Sequence, residues 1–316
     1  MIPTHVSTDE IARLLTERLG GVVSAVVPLA TPAAHRMLTA CWQQADGTSS
    51  EIVIRFFDGP RAADEMRAEA AALRDLSKTG YPVPELYFSG LEDGMGGPYV
   101  VMERLSGQAM AALARRDPAR WLEEAVTLVF RLHTLRWQNS FDWLQPALSP
   151  LDYAERQVRL WTGKAQQAGV PAALRGLAWL NTQKYRARAC RQVGLVHRDL
   201  HPDNMLADGQ KITGVVDWGE LCIADPAVDV GWTHMVIATE GRPEWGDLFV
   251  GSYLRRNPDV AGTLPFWQVF AGCKRLVSMA MHDQTAAERG LPLVEPEKRE
   301  AVIAFIEAHL TDEDVE

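Results

Sequence analysis

The chain has 316 residues, of which 47% are hydrophobic and 23% are charged. These values are typical of a globular protein with a sizeable core, and they exclude a disordered chain. Its 41 acidic and 32 basic residues give a net charge of −9, which argues against non-specific binding to nucleic acid or anionic membranes. The length fits about two domains, or one larger domain.

The cysteines show no spacing typical of a metal site or a redox motif. They are Cys41, Cys190, Cys222 and Cys273. We interpret them as isolated buried thiols in a reducing compartment. Residues 1–10 lack a basic region followed by an apolar stretch, so no signal peptide is predicted and the expected location is the cytoplasm.

The first third of the chain is predicted to be rich in strands. Ser7 and Glu10 fit a capping box at the start of a helix that ends at Gly20. A segment rich in helix formers predicts a second helix over 60–78. Apolar and β-branched runs bounded by turn residues predict five strands, at 22–29, 38–44, 51–57, 86–89 and 99–102.

Beyond residue 107 the pattern becomes helical. Long periodic stretches predict helices at 121–137, 153–168, 171–191, 243–255, 266–281 and 295–310. One strand-like island, 195–216, interrupts them. The sequence therefore predicts an α+β protein with a small strand-rich lobe, residues 1–103, and a larger, mainly helical lobe, residues 104–316.

Three polar residues lie beside the apolar stretches of this island. Asp199 and Asn204 follow Val196, and Asp217 follows Val216. Phosphoryl transfer needs residues of these types. One carboxylate must orient the attacking hydroxyl and receive its proton, and hard oxygen ligands must hold Mg²⁺ against the nucleotide phosphates.

The order of these residues resembles the catalytic and metal-binding loops of the protein-kinase-like fold. His197-x-Asp199-x-x-x-x-Asn204, followed by Asp217, is similar to the aminoglycoside/choline phosphotransferase superfamily. Members of that superfamily often carry His-Gly-Asp-Leu-His-Pro-x-Asn and then a strand that ends in Asp-Trp or Asp-Phe. The resemblance implies a two-lobed kinase-like fold, catalysis by Asp199, Mg²⁺ on Asn204 and Asp217, and ATP or GTP as the phosphate donor.

The resemblance extends into the strand-rich lobe. Residues 99–107 are similar to the family's strand between the lobes, which implies that the Glu103 carbonyl and the Leu105 amide bind the purine. Residues 67–73 resemble the helix whose glutamate pairs with the phosphate-binding basic residue, which points to Glu69.

Two features depart from the family pattern. Arg55 occupies the third-strand position where the family usually has lysine, and no lysine precedes Lys78. Because arginine can also bridge phosphates, we predict that Arg55 replaces it, and weakened or lost nucleotide binding is the alternative. The loop 30–35 contains no glycine, so close approach of its backbone to phosphates is not favoured. His35 or Arg36 could contact phosphate, although turn residues are the simpler interpretation.

The other polar residues near the motif receive more general assignments. His197 is expected to brace the loop and not to act as a base. Asp225 and Asp229, in an Asp-Pro-x-x-Asp element that the family also carries, are interpreted as helix caps. Three residues are candidates for the acceptor pocket, namely His201, Asp203 and Glu220. Three tryptophans at helical positions are assigned to the core and not to a binding wall, namely Trp232, Trp245 and Trp267.

Other functions remain open. His197 and His201 have the spacing of a helical zinc pair in a metal-dependent hydrolase, but Pro202 disfavours a helix there. A non-catalytic kinase-like binding module is favoured by Arg55 and by the glycine-free loop.

The predicted partner is a small molecule with an acceptor hydroxyl, such as an aminoglycoside or a macrolide, with a choline- or homoserine-type metabolite as the alternative. Neither nucleic acid nor a membrane is expected as a partner. A monomer or a homodimer is expected.

Overall fold

The structure, a computed structural model, describes residues 6–29, 36–91 and 94–310. The glycine-free loop 30–35, including His35, lies outside the described residues. The chain divides into two compact units. The first comprises Met1–Gln108 with Leu206–Leu221, and the second comprises Ala109–Met205 with Cys222–Glu316.

The segment Leu206–Leu221 belongs to the first unit, although it follows much of the second unit in the sequence. The two lobes predicted from the sequence were continuous stretches, and their boundary at 103/104 stays a prediction. None of the described helices has the length and apolar content needed to span a bilayer. All four cysteines are free thiols, as predicted, but the prediction that they are buried was right for Cys273 alone. Cys41 is exposed, and Cys190 and Cys222 are partly exposed.

The first unit is built on a five-stranded antiparallel sheet of order β1-β2-β3-β5-β4. Its strands are β1 Val22–Pro28, β2 Met37–Gln43, β3 Ser49–Phe56, β4 Leu86–Gly90 and β5 Tyr99–Glu103. The β-branched residues of β3 favour a buried strand. Accordingly β3 is central, with Ile54 opposite Leu38 of β2 and Val101 of β5.

One helix lies on each face of this sheet. Helix α1 (Thr8–Leu19) begins with the predicted capping box, and its Ile11 joins the apolar cluster that contains Ile54. Because side chains alternate along a strand, Arg55 of β3 points to the other face. Helix α2 (Ala62–Lys78) packs on that face and contacts Arg55 through Glu69.

A short hairpin, apart from its first residue, Met205, belongs to the first unit. It consists of β8 (Met205–Ala207) and β9 (Ile212–Val215), in a sheet of order β6-β8-β9 whose first strand is β6 (Gln108–Ala109). The N–H of Val215 donates to the carbonyl of Pro82 at 2.9 Å, which fixes the end of β9 within the unit.

The second unit is mainly helical. Its helices are α3 Met110–Ala114, α4 Pro118–Thr134, α5 Pro150–Ala168, α6 Pro171–Gln183, α7 Ala227–Thr239, α8 Pro243–Arg256, α9 Leu264–Arg289 and α10 Pro296–His309. Its two short strands, β7 (Gly194–Val196) and β10 (Cys222–Ala224), pair antiparallel. Shorter 3-10 turns lie at Lys184–Ala189, Pro202–Asn204 and Pro258–Gly262.

Several parts of this unit differ from the prediction. Helix α3 and strand β10 were not predicted, and α9 continues past the predicted end at 281 to Arg289. The predicted helix over 171–191 ends as an α-helix at Gln183 and continues as a 3-10 turn. Helix α7 was not among the helices predicted from periodicity. Residues 227–237 are all buried, so α7 has no polar face and no amphipathic period to detect. The predicted α+β class is nevertheless confirmed.

Candidate active site

Three charged residues that the sequence assigned to the nucleotide and the metal meet within the first unit. Nη1 of Arg55, on β3, donates to Oε1 of Glu69, on α2, at 3.0 Å and to Oδ1 of Asp217, just after β9, at 2.9 Å. The side chains of Arg55 and Glu69 are buried, whereas that of Asp217 is 30% exposed. Asp217 is therefore the member of the cluster that a ligand can reach.

The charges in this cluster do not balance, because one guanidinium faces two carboxylates. Burial raises the pKa of Glu69, and the nearby Arg55 lowers it only in part. The net result is a pKa of about 7. Burial alone would lower the pKa of Arg55, but Glu69 and Asp217 outweigh it and raise the pKa. The second oxygen of Glu69, Oε2, is buried and accepts no hydrogen bond within the described residues. The excess of carboxylate oxygen suits a bound cation, and Asp217 has the ligand type that Mg²⁺ prefers.

Asp217 is held in an unusual backbone conformation. Its φ of 69° lies in the left-handed region, which costs about 1–2 kcal/mol for a residue with a Cβ. The next residue, Trp218, is fully buried. Its indole N–H donates to the carbonyl of Val215 at 2.8 Å, and its ring packs edge-on against Tyr81 with centroids 5.6 Å apart. These contacts fix both sides of the turn that presents the Asp217 carboxylate.

The predicted purine-binding residues lie at the end of β5. Glu103 is its last residue, and its carboxylate accepts a hydrogen bond from the N–H of Glu85 at 3.2 Å. The backbone N–H of Leu105 donates to no described residue. The Leu105 side chain packs on Gly214, where an added Cβ would lie 2.5 Å from Cδ1 of Leu105. An unused N–H beside the strand end is compatible with the predicted role of Leu105, which stays a prediction.

Arg36 does not point toward Arg55. Its carbonyl accepts a hydrogen bond from the N–H of Phe56, and its guanidinium carbon lies 4.3 Å from the centroid of the Phe56 ring. Because opposed residues of neighbouring strands share a face, Arg36 lies on the opposite side of the sheet from Arg55. The structure thus favours packing on Phe56 over phosphate contact for Arg36.

In the second unit, Asp199 and Asn204 are bound to each other. Nδ2 of Asn204 donates to the backbone carbonyl of Asp199 at 2.8 Å and to its Oδ2 at 3.3 Å. The 3-10 turn Pro202–Asn204 brings the two residues together. Since the amide nitrogen is used, Oδ1 of Asn204 stays available as a hard oxygen ligand, and it accepts no hydrogen bond in the described part of the chain. The Asp199 side chain is 34% exposed, so a ligand can reach its carboxylate.

His201 and Asp203 lie beside this pair. Nδ1 of His201 accepts a hydrogen bond from the N–H of Asp203 at 3.3 Å, which leaves the proton on Nε2, 3.7 Å from Oδ1 of Asp199. Burial lowers the pKa of His201, and the nearby carboxylates offset this only in part. His201 is extended, with φ of −152°, so the helical histidine pair of a zinc hydrolase is not formed. The other acceptor candidate, Glu220, is exposed and belongs to the first unit.

His197 braces the loop, as predicted. It is fully buried, and its Nδ1 accepts a hydrogen bond from the N–H of Asp199 at 3.3 Å. Asp229 has the same function and is not a helix cap, so the cap interpretation was wrong for this residue. Its carboxylate accepts hydrogen bonds from the N–H groups of His197 at 2.8 Å and Arg198 at 2.6 Å. Asp225 is a cap, because its Oδ1 accepts from the N–H of Ala227 at 2.9 Å.

Two further residues complete the support of Asp229. Nε2 of His133 donates to Oδ2 of Asp229 at 3.0 Å, and the Tyr253 hydroxyl donates to Nδ1 of the same ring at 2.6 Å. Burial opposes the charge of Asp229, but these hydrogen bonds and those from the loop outweigh it and lower its pKa. Asp229 is thus an ionised anchor for the loop that carries Asp199.

Lys274 is a site residue that sequence reasoning missed. It is buried on α9, and its Nζ donates to the carbonyl of Arg198 at 2.9 Å. A lysine followed by Arg275 within the apolar run of α9 is the only sequence signal for it. An isolated cation in such a run is as typical of a solvated helix face, so the signal alone does not predict a contact.

A groove of about 730 Å³ lies elsewhere in the second unit, between α5 and α6. None of the predicted site residues lines it, so the groove is not assigned to the site. In the three described stretches of the chain, no group of three or more His, Cys, Asp or Glu side chains is arranged to hold a metal ion. The predicted metal ligands are instead one carboxylate and one amide, a pair that suits Mg²⁺ when phosphate oxygens complete its coordination.

The five-stranded antiparallel sheet, its helix-borne Glu69, and the Asp199–Asn204 loop of the helical unit define a kinase-like enzyme of the phosphotransferase class. The sequence model of the phosphotransferase enzyme family matches residues 30–266, and the chain belongs to that family. This confirms the predicted resemblance and enzyme class.

Solved structures of aminoglycoside phosphotransferases share the fold. A thermostable mutant of APH(4)-Ia in its apo form has a TM-score of 0.69 and 18% identity, covering 95% of this chain and 99% of that one. APH(2")-IIIa in complex with GDP and kanamycin has a TM-score of 0.64 and 16% identity, covering 95% and 97%. The type VIII aminoglycoside-3'-phosphotransferase has a TM-score of 0.55 and 20% identity, covering 96% and 99%.

Proposed function

We propose that this protein transfers the γ-phosphate of ATP or GTP to a hydroxyl group of a small molecule. The observation that carries the proposal is the Asp199–Asn204 pair, held in a loop that the Asp229 carboxylate anchors through two backbone N–H groups. The pair combines an accessible carboxylate with an amide oxygen available for a metal. Family membership supports the same reaction.

Asp199 is the proposed catalytic residue. Its carboxylate would orient the acceptor hydroxyl and take its proton late. In a loose transition state the bond from the hydroxyl to phosphorus is barely formed, so the hydroxyl needs little activation by a base. His201 has a lowered pKa and is neutral at neutral pH, so it would not add a positive charge beside Asp199.

Asn204 and Asp217 are the proposed ligands of Mg²⁺, which when bound would neutralise charge on the nucleotide phosphates. Arg55 would contact the phosphates, and Glu69 would hold Arg55 in place. The Glu103 carbonyl and the Leu105 amide are the proposed contacts to the purine. A cytoplasmic location stays a prediction.

The acceptor is proposed to be a compound rich in hydroxyl groups. Relatives of the same fold were solved with hygromycin B and with kanamycin, both of which carry several hydroxyls. His201 and Asp203 are the candidates for acceptor contacts in the second unit. An antibiotic and a metabolite both satisfy this description.

Asp199→Asn tests the proposed reaction. The amide keeps the shape of the side chain but cannot accept the proton, so we expect kcat to fall by about 10²–10⁴-fold. The measurement is acceptor-dependent release of nucleoside diphosphate, with Mg·nucleotide binding followed separately by thermal stabilisation. Asp259→Asn, a half-exposed aspartate of the same unit, is the matched control and should behave as wild type. Equal turnover by wild type and Asp199→Asn would remove Asp199 from the mechanism.

A further inference from the structure

Arg198, the residue before Asp199, has a backbone conformation that residues with a Cβ rarely adopt. Its φ is 71°. Its N–H donates to Oδ1 of Asp229 at 2.6 Å, and its carbonyl accepts from Nζ of Lys274 at 2.9 Å, so the conformation is fixed from both sides. Glycine would adopt it without strain. An arginine kept in a strained conformation beside a catalytic carboxylate indicates a function for its side chain.

The side chain of Arg198 is directed toward α5. Its Nη2 donates to Oε1 of Gln157 at 3.1 Å. Trp161 lies one turn further along α5, on the same face as Gln157. Nζ of Lys274 lies 5.9 Å from the centroid of the Trp161 ring and 4.6 Å from that of Trp232 on α7. Arg198 therefore adjoins a wall made by α5, α7 and α9.

This wall contains hydrogen-bond donors that lack an acceptor. The indole N–H groups of Trp161 and Trp232 are buried, and neither donates to any described residue. Arg275, which follows Lys274, is half-buried and forms no hydrogen bond or ion pair with the described residues. A buried donor without an acceptor costs free energy, so oxygen atoms of a ligand would be favoured here.

The charges near Asp199 also favour a negatively charged ligand. Arg275 lies within electrostatic range of His201 and of Glu240. Around Glu240 the chain supplies three cations within electrostatic range, namely Arg115, Arg275 and Lys298, and one further carboxylate, that of Asp203. With Arg198 and Lys274 added, five cations face the three carboxylates of Asp199, Asp203 and Glu240, so a polycationic acceptor would meet more positive than negative charge in this region.

We propose that Arg198 and Arg275 bind an anionic group of the acceptor, so that the compound phosphorylated is a hydroxylated carboxylate or phosphate ester and not a polycationic aminoglycoside. This inference rests on the proposed function and names its substrate class. The planar guanidinium fork matches both anionic groups, and an oxygen-rich body would satisfy the two indole donors. Lys274 is a positioning residue, because it acts through the Arg198 carbonyl.

The test uses two series of acceptors, each of which keeps one polyol skeleton and replaces one hydroxyl-bearing group by an anionic group. Glycerol, D-glycerate and glycerol 3-phosphate form one series, sorbitol and D-gluconate form a second, and kanamycin is the polycation. Release of nucleoside diphosphate from Mg·ATP and Mg·GTP is measured with each compound. We expect at least one anionic compound to have a kcat/KM at least tenfold above that of the neutral polyol in its series. Comparison of D-glycerate with glycerol 3-phosphate then shows whether a carboxylate or a phosphate ester is preferred.

Variants connect this preference to the two arginines. Arg198→Gly should melt at the same or a higher temperature than wild type, because glycine relieves the backbone strain, and should raise KM for the anionic acceptor about tenfold. Arg275→Gln should raise the same KM without touching the strained backbone. Arg186→Gln, a half-buried arginine of the same unit, removes the same charge and should leave KM unchanged.

The outcomes separate this inference from the proposed function. The inference would be overturned if neutral compounds or kanamycin were turned over as well as the anionic acceptors or better. It would also be overturned if Arg198→Gly and Arg275→Gln both kept the wild-type preference for anionic acceptors. It is also overturned if no acid promotes release while Mg·nucleotide still stabilises the protein. Failure of Mg·nucleotide to bind at all would instead contradict the proposed function. A lower melting temperature for Arg198→Gly would assign Arg198 a structural role, and Arg275→Gln would then decide whether the acid preference depends on this wall.

Discussion

Arg55 is the residue on which the charged cluster of the first unit depends. A single nitrogen, Nη1, contacts carboxylates from a helix and from the turn after β9. Lysine would bring one compact charge to this position, whereas arginine brings a planar fork that can meet phosphate oxygens in pairs. The substitution of the usual lysine therefore keeps the charge and changes the geometry of contact.

Removing this charge should destabilise the protein in a pH-dependent way. Glu69 has a pKa of about 7 in the folded state, raised from 4.5, so its contribution to stability is complete below about pH 4.5 and is lost as pH rises toward 7. Without Arg55 the buried carboxylate would have no cation, and we expect Arg55→Met to lower the free energy of unfolding by about 3–5 kcal/mol at pH 8. The loss should be smaller at pH 4.5.

Urea denaturation at the two pH values measures this effect. Arg55→Met/Glu69→Gln is the matched double variant, and it should regain part of the stability at pH 8, because the amide needs no counter-ion. If Arg55→Met were as stable as wild type at pH 8, the ion pairs would contribute nothing and the description of the cluster would be wrong.

The sequence predicts some of these residues better than others. Arg55, Glu69 and Asp217 were each assigned from short motifs, and the structure brings them together. Asp229 was assigned as a cap, because a carboxylate in the first turn of a helix is typical of caps and its long-range contacts leave no local pattern. The supporting contacts of Lys274 and Tyr253 are equally long-range, so no local rule predicts them.

At the scale of elements, α7 is positioned by close backbone contact with α9. A Cβ added at Gly231 would lie 2.8 Å from the backbone carbon of Trp267, so the two helices approach where one of them has no side chain. Helix α7 also carries Asp229, which anchors the loop of Asp199. Close packing at Gly231 therefore fixes the position of the anchor.

Gly231→Ala should separate these helices and destabilise the protein by about 1–3 kcal/mol, because rigid backbone and not a flexible side chain would meet the added methyl group. Gly163→Ala is the matched control on α5. No described heavy atom lies within 4 Å of a Cβ there, so this change should stabilise the helix by about 0.5–1 kcal/mol. Chemical denaturation of both variants measures the difference. Stabilisation by both changes would contradict the described contact between α7 and α9.

Elements with a local signal were the ones that the sequence predicted. The capping box at Ser7 and Glu10 and the β-branched centre of β3 depend on neighbouring residues alone, and both are found. Helix α7 lacks a polar face because tertiary packing surrounds it, so its periodicity is lost. Propensity likewise cannot separate the α-helix that ends at Gln183 from the 3-10 turn after it, since boundaries depend on the contacts of each turn.

At the scale of the whole molecule, the first unit is made of two segments of the chain that are separated in sequence by part of the second unit. The segment Leu206–Leu221 joins the first unit through contacts such as the bond from the N–H of Val215 to the carbonyl of Pro82. A sequence pattern predicts that β9 is a strand but not which partner it meets. The fold class was predictable from element order and motif, whereas this division of the chain depends on long-range pairing.

The proposed binding of a nucleotide through Mg²⁺, with Asp217 as a ligand, can be measured directly as a change in melting temperature. The proteins compared are wild type, Asp217→Asn and the exposed control Asp64→Asn, each with ATP or GTP, with and without Mg²⁺. A nucleotide at 100 times its Kd would stabilise the folded state by about 2.7 kcal/mol, which corresponds to a rise of several degrees. We expect a Mg²⁺-dependent rise in wild type and in Asp64→Asn that is lost in Asp217→Asn. No rise with either nucleotide in the folded wild type would contradict the claim and favour a kinase-like binding module without catalysis.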